Sequence, residues 1–266
     1  MQPKINVALK AARSAGDFIL HVQDKLLFDQ EAGKKPEQAY QDICLNAERT
    51  IVNALTKAYP TETITTRLQG EVQTGNEESG TWIIDAIQGQ ALFTRNLTGY
   101  ALTVSYLVNG KVEHAVLVNP ANKDEFYASK GRGAYLNNSR IRTSAVSSIN
   151  NSVLGAQFPA TAKLEKYQPQ QFQLLQNIAE KNGRVMMQDC PALMIANVAA
   201  GKLDGVWGVN LFDWEMQAPL LIAKEAGCLF ADFNGSPDVY KNGDLLCANA
   251  RLFKVLLPTV NKYFAK

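Results

Sequence analysis

Asp85 closes a short apolar run, Trp82-Ile-Ile-Asp85, and Gly89 follows four residues later. A buried strand of this kind carries a carboxylate to its own carboxyl end. Gly89 allows a tight turn, and Gln90 and Ala91 then open a helix whose first amides are unpaired and favour an anion. A carboxylate beside such amides suits a divalent cation and a phosphate oxygen held together. The carboxylates are few, however, because the residue before the glycine is Gln88, whose neutral amide is a poor magnesium ligand. By itself, Asp-x-x-x-Gly at a strand end is more often structural than chemical. Cys190 is a second candidate. Asp189 as N-cap and Pro191 as first helical residue would set its thiol at a positive helix end that favours thiolate. The two histidines, His21 and His114, stand in no Cys-His arrangement, so a structural thiol is the preferred reading.

The stretch Trp82 to Phe93 resembles the Trp-x-Ile-Asp-Pro-Leu-Asp-Gly-Thr-Thr-Asn-Phe signature of the inositol monophosphatase family, magnesium-dependent phosphomonoesterases. Further segments of similar wording are spread over nearly the whole chain: Ala11-Ala-Arg-Ser-Ala-Gly16, Gly131-Arg-Gly-Ala-Tyr-Leu-Asn137, Val198-Ala-Ala-Gly201 with Asp204-Gly205, and Glu225-Ala-Gly227. The resemblance implies a layered αβαβα sandwich and assigns the chemical positions, most of which have changed. The motif's proline is Ala86, its second aspartate is Gln88, and its two threonines are Gln90 and Ala91. The first metal-binding glutamate, due right after the strand Thr63 to Thr66, is Arg67. Glu77-Glu78-Ser79-Gly80 mimics that part of the motif but lies too close to Trp82, and the strand after Tyr59-Pro60 sets the register against it. The third aspartate is Glu215 by the register of Glu225-Ala-Gly227, not the nearby Asp213. Its extra methylene moves the carboxylate by about 1.5 Å, which matters to an ion that demands oxygens at about 2.0 to 2.1 Å. The substrate-contacting glutamate is Gly208, and the Gly-Thr/Ser-Ala segment is Asp189-Cys190-Pro191.

These changes imply a degenerate site. Gly89, Gln90 and Ala91 are a phosphate-loop remnant, and Asp189, Cys190 and Gly208 a substrate-contact remnant; no catalysis, cofactor or metal is expected. Arg67 is expected to act as a built-in cation for Asp85 and Glu215, since a guanidinium suits carboxylates that would otherwise be buried unpaired. The alternative is a magnesium-dependent phosphomonoesterase for inositol monophosphate or a related sugar phosphate, its altered metal site built from Asp85 and Glu215 with outside help from groups such as Glu71. A weaker third reading is an anion-binding module at the Gly89 to Ala91 amides beside Arg67. Within the family the wording is nearest to a bacterial branch that serves in ribosomal RNA transcription complexes. That implies Nus-type transcription factors or RNA polymerase as partners, and the family implies a homodimer, with Val185, Met186, Met187 and Trp207 near the subunit interface.

Elements able to position these residues follow from periodicity. Ile5, Ala8, Leu9, Ala12, Ala15 and Ile19 recur at helical spacing after Pro3, and Ile43, Ala47, Ile51, Leu55 and Ala58 do so after a polar break at Gly33-Lys-Lys-Pro36. Tyr100 to Val108 and Lys111 to Val118 are strands joined by Asn109-Gly110, the strongest two-residue hairpin signal. Strands at Glu125 to Ser129, Ala134 to Leu136 and Ser139 to Arg142 complete an α+β part over residues 1–150. From Ser152 strands and helices alternate, with helices around Tyr167 to Lys181, from Pro191, from Glu215 and over Leu252 to Phe264, so that residues 151–266 form an α/β part.

Composition leaves the partner open. The 266 residues are 46% hydrophobic and 20% charged with a net charge of +2, which announces neither nucleic acid nor membrane, and no sequence-specific nucleic-acid binding is expected. The four cysteines, Cys44, Cys190, Cys228 and Cys247, lack C-x-x-C spacing and read as reduced thiols. No basic leader or long apolar span is evident, and a cytoplasmic protein is expected.

Overall fold

The computed structural model describes residues 2–31, 36–76, 79–157 and 167–264. The polar break before Pro36 and the pair Glu77 and Glu78 lie outside the described residues. Helices α1 (Pro3–Glu31) and α2 (Pro36–Ala58) lead into strands β1 (Thr63–Thr66), β2 (Gly70–Gln73) and β3 (Thr81–Gln88), the short helix α3 (Gln90–Phe93), and strands β4 (Ala101–Val108), β5 (Lys111–Asn119), β6 (Asp124–Ser129), β7 (Ala134–Leu136) and β8 (Ser139–Arg140). The second part runs β9 (Val153–Ala156), α4 (Gln168–Glu180), β10 (Arg184–Met187), α5 (Pro191–Ala199), β11 (Gly205–Gly208), α6 (Asp213–Ala226), β12 (Cys228–Ala231), β13 (Leu245–Asn249) and α7 (Ala250–Phe264).

The strands make two sheets, one of eight in the order β2-β1-β3-β4-β5-β6-β7-β8 and one of five in the order β10-β9-β11-β13-β12. The apolar faces dictate five layers. The stripe Ile5, Leu9, Ala12, Ala15 and Ile19 of α1, with Ala47, Ile51 and Leu55 of α2, packs on one face of the large sheet against Ile84, Leu102, Val104 and Val116. Its other face, through Ala101, Leu117, Phe126 and Ala128, meets α5 and α6. Every residue of α5 but Asn197 is buried, as expected of a helix apolar all round and held between two sheets. The small sheet covers the far side of α5 and α6 with Val206, Leu245 and Cys247, and α4 and α7 close the stack through Leu174, Ile178, Leu252 and Leu256. The αβαβα sandwich is thus formed, with α5 and α6 in a core shared by both sheets. Asn109 and Gly110 have φ of 50° and 71°, the left-handed pair that a two-residue turn requires.

Two boundaries need correction, and one strand was not expected. The run ending in Asp85 does not end there: β3 continues to Gln88, its ladder to β4 becoming irregular between Asp85 and Gln88. The edge strand β2 gave no periodic signal because its four residues are largely exposed. The sixth helix begins at Asp213, two residues before Glu215. Trp207, expected near the subunit interface, is itself wholly buried, with its indole donating to Gln171 Oε1 at 2.7 Å. Met186 and Met187, on the edge strand β10, are exposed. Among the described residues, no helix is long and apolar enough to cross a membrane.

Candidate functional site

β1 and β3 run parallel, with Thr66 beside Ile84, and the ladder gains one more step where the Arg67 amide donates to the Ile84 carbonyl at 2.9 Å. Parallel pairing brings the carboxyl ends of both strands to one edge, so Arg67 leaves β1 next to Asp85. Arg67 Nη1 stands 3.4 Å from Asp85 Oδ1 and donates to the Ile87 carbonyl at 3.2 Å. The same carbonyl accepts the Tyr40 hydroxyl from α2 at 2.8 Å. Burial opposes the guanidinium's charge, but Asp85 and Tyr40 outweigh it, and Arg67 is held above the usual arginine value.

Asp85 is 2% exposed, and its Oδ2 has no hydrogen-bond partner. Burial lifts its carboxyl to about 6, against the pull of Arg67 and with a further push from Glu48. Gln88, where the motif has an acid, donates its amide to the Trp214 carbonyl at 3.2 Å, tying the end of β3 to the first turn of α6. Glu215 stands near these groups but outside the ion pair: its Oε2 accepts the Phe212 amide at 2.9 Å, capping α6. The expected triad is therefore a pair with a capped carboxylate beside it, because the first turn of a helix offers Glu215 a nearer donor. Burial pushes Glu215 up to about 7, with Asp85 and Asp189 adding to the rise and the Phe212 amide and Arg67 opposing it.

Glu48 was missed. It is 1% exposed, and from α2 it accepts the Leu68 amide at 3.2 Å and the Gln69 side-chain amide at 3.4 Å, fixing the turn from which Arg67 projects. The signal was present in the sequence, since Glu48 falls on the apolar stripe of Cys44, Ala47, Ile51 and Leu55. Tyr40 and Cys44, on the same face, complete the wall; burial pushes the Cys44 thiol up to about 12.

In the turn after β3, expected as a phosphate-loop remnant, Gly89 has φ +88°, and a Cβ there would lie 3.0 Å from the Gly99 carbonyl oxygen. The amides of Leu92 and Phe93 turn back to the Gly89 carbonyl, and the Ala91 amide hydrogen-bonds the Asp189 carboxyl. Asp189 is therefore not the N-cap of α5. Cys190 takes that position, with no side-chain cap bond, and its fully buried thiol is pushed above the ordinary cysteine range, away from thiolate. At Gly208 a Cβ would come within 2.9 Å of Leu211 Cδ1, so a longer side chain there would have to displace the end of Leu211. Glu71, on β2, accepts the Thr74 hydroxyl at 2.5 Å.

Among the described residues, no three of His, Cys, Asp and Glu are grouped to hold a metal ion. Asp85 and Glu215 are two carboxylates, but the Arg67 guanidinium 3.4 Å from Asp85 sets a positive charge against the one a divalent cation would use. Breaking a fully buried ion pair costs about 3 to 5 kcal/mol. The Arg67 side chain is 32% exposed and its contact is long, so solvent screens part of that. Arg67→Ala is expected to cost about 1 to 2 kcal/mol and to lower the melting temperature by roughly 3 to 6 °C in a thermal scan. An unchanged midpoint would mean that the pair contributes nothing.

The model of the inositol monophosphatase family matches residues 1–264. A protein named Nus factor SuhB from Pseudomonas aeruginosa is 33% identical over 264 residues, covering 99% of this chain and 97% of the relative. The Nus factor SuhB of Escherichia coli is 30% identical over 261 residues, covering 97% and 95%. Among solved structures, the extragenic suppressor protein SuhB from Bartonella henselae superimposes with a TM-score of 0.85 at 25% identity, covering 97% of this chain and 99% of that one.

Proposed function

The chain belongs to the inositol monophosphatase family, and on that premise we propose that it is a cytoplasmic homodimer that has lost metal-dependent phosphatase chemistry and works through protein contacts. Its partners are of the kind that the name Nus factor implies for its relatives, Nus-type transcription factors or RNA polymerase, and its process is antitermination of ribosomal RNA transcription. The observation that carries the first half is the guanidinium of Arg67 against Asp85, where the family motif has a glutamate for a cation. Gln88 bound to the Trp214 carbonyl and Ala91 bound to Asp189 support it, since each ties a former ligand position to the protein itself. The second half rests on relatives matched over almost their whole length.

Affinity capture of the tagged protein from its native lysate, under conditions that keep RNA-containing complexes intact, is expected to recover a Nus-type factor or RNA polymerase. Recovery of neither would overturn the partner assignment. The exposed Met186 and Met187 are expected at the dimer contact, and light scattering at micromolar concentration should return twice the chain mass; a monomer would remove the dimer from the proposal.

A further inference from the structure

Away from the degenerate site, the first turn of α1 enters a pocket of aromatic rings. Lys4 Nζ lies 3.9 Å from the ring centre of Tyr106, 4.1 Å from that of Tyr59 and 5.5 Å from that of Trp82. Tyr59 stacks on Trp82 at 5.6 Å, and Trp82 meets Tyr106 at 4.8 Å, so the three faces form one continuous wall. The open side is closed by Glu62, 9% exposed. Its Oε1 pairs with the Lys4 ammonium and accepts the Tyr106 hydroxyl at 3.0 Å, while its Oε2 accepts the Trp82 indole N–H at 2.5 Å. His114 stacks on Tyr106 at 5.9 Å. Burial lowers its pKa, and the Lys4 charge lowers it further.

Three ring faces and a carboxylate around one nitrogen are the chemistry that recognises organic ammonium ions. The carboxylate is itself oriented by two ring donors, so the pocket holds its shape through its own hydrogen bonds as well as through the lysine. Only the ammonium head and the four-carbon stem of Lys4 come from the occupant.

We propose that Tyr59, Trp82, Tyr106 and Glu62 form a built ammonium-binding site, occupied in cis by Lys4, and that the site takes a free primary alkylammonium ion when the lysine head is absent. In the intact chain the site is a latch. It pins the start of α1 to Glu62, the residue before β1, and so to the strand that Arg67 follows.

The test uses the full chain with Lys4→Ala and, to keep the stem volume, Lys4→Met. Both variants are expected to lose about 5 °C in melting temperature. Millimolar n-butylammonium chloride is expected to restore at least half of the loss in Lys4→Ala and to leave the wild type unchanged. Neither n-butanol nor sodium chloride at the same concentration should do so. In the wild type, acetylation by an amine-reactive ester should label Lys4 at least tenfold more slowly than the exposed Lys254. Equal labelling of Lys4 and Lys254 would overturn the cis occupancy. Unchanged melting temperatures in both variants, or a response to n-butanol equal to that of n-butylammonium, would overturn the ammonium site. If Lys4→Ala does not fold, butylammonium rescue of its soluble yield on refolding gives the same reading, and failure of that rescue counts against the proposal.

Discussion

Purified protein assayed against a panel of phosphomonoesters, inositol monophosphate and sugar phosphates included, is expected to give no hydrolysis that magnesium or manganese stimulates. A metal ion in such a reaction supplies several kcal/mol by neutralising phosphoryl oxygens and activating water, and each 1.4 kcal/mol is a factor of ten in rate. Loss of the ion therefore costs on the order of a thousandfold or more. The cause here is electrostatic. Relative to the family motif, Arg67 exchanges a negative charge for a positive one and Gln88 removes a second, while the guanidinium already stands 3.4 Å from Asp85. The converse follows. The triple substitution Arg67→Glu, Gln88→Asp and Glu215→Asp should create magnesium binding detectable by calorimetry that the native chain lacks. It should remain a poor phosphatase, because Asp189 still holds the Ala91 amide and Leu211 still crowds Gly208. A magnesium-dependent activity in the unmodified protein, or an octahedral ion on Asp85 and Glu215 in a magnesium-soaked crystal, would refute this and restore the phosphomonoesterase reading.

A second large effect is expected in the pH dependence of stability. Asp85 titrates at about 6 in the folded protein against an ordinary 3.8, and Glu215 at about 7 against 4.5. Both are raised on folding, so the folded state binds protons more tightly than the unfolded state. Their contribution to stability is fully present below about pH 4 and is lost as pH rises through about 6 and about 7. For Asp85, a shift of about two units corresponds to as much as about 3 kcal/mol. In chelator-treated protein, Asp85→Asn should thus gain stability over the wild type as pH rises from about 5 to 8, by up to roughly 3 kcal/mol, in denaturant titrations at each pH. The increment should vanish near pH 4, where the native carboxyl is already neutral. A difference between the two proteins that stays flat with pH would show that Arg67 holds Asp85 ionised throughout.

The site could be read from the sequence only as far as chain order carries information. Asp85 lies within a strand, and Arg67 and Gly89 directly after strands, whose β-branched and apolar residues announce them, and the motif wording set their positions. Glu48 was overlooked although its helical spacing marks it, because one acid on an apolar stripe is indistinguishable from a surface residue until the helix meets a neighbour. The aromatic wall around Lys4 had no linear signature at all: Tyr59, Trp82 and Tyr106 come from a helix end and two strands and face one point only when α1 docks on the sheet.

By itself the sequence determined the elements and their layering, since periods of two and 3.6 are local properties of the chain and apolar faces admit few ways to stack. It also carried the residue types at positions 67, 85, 88 and 215, where the resemblance to the family motif is read. Tertiary structure alone decided where the remaining charges point. Arg67 reaches Asp85 because β1 and β3 are parallel neighbours, Glu215 turns to the Phe212 amide because a helix start offers a closer donor, and Trp207 is buried against Gln171 of α4. Each is a competition between partners within a few ångströms, and distances of that kind exist only once the chain has folded.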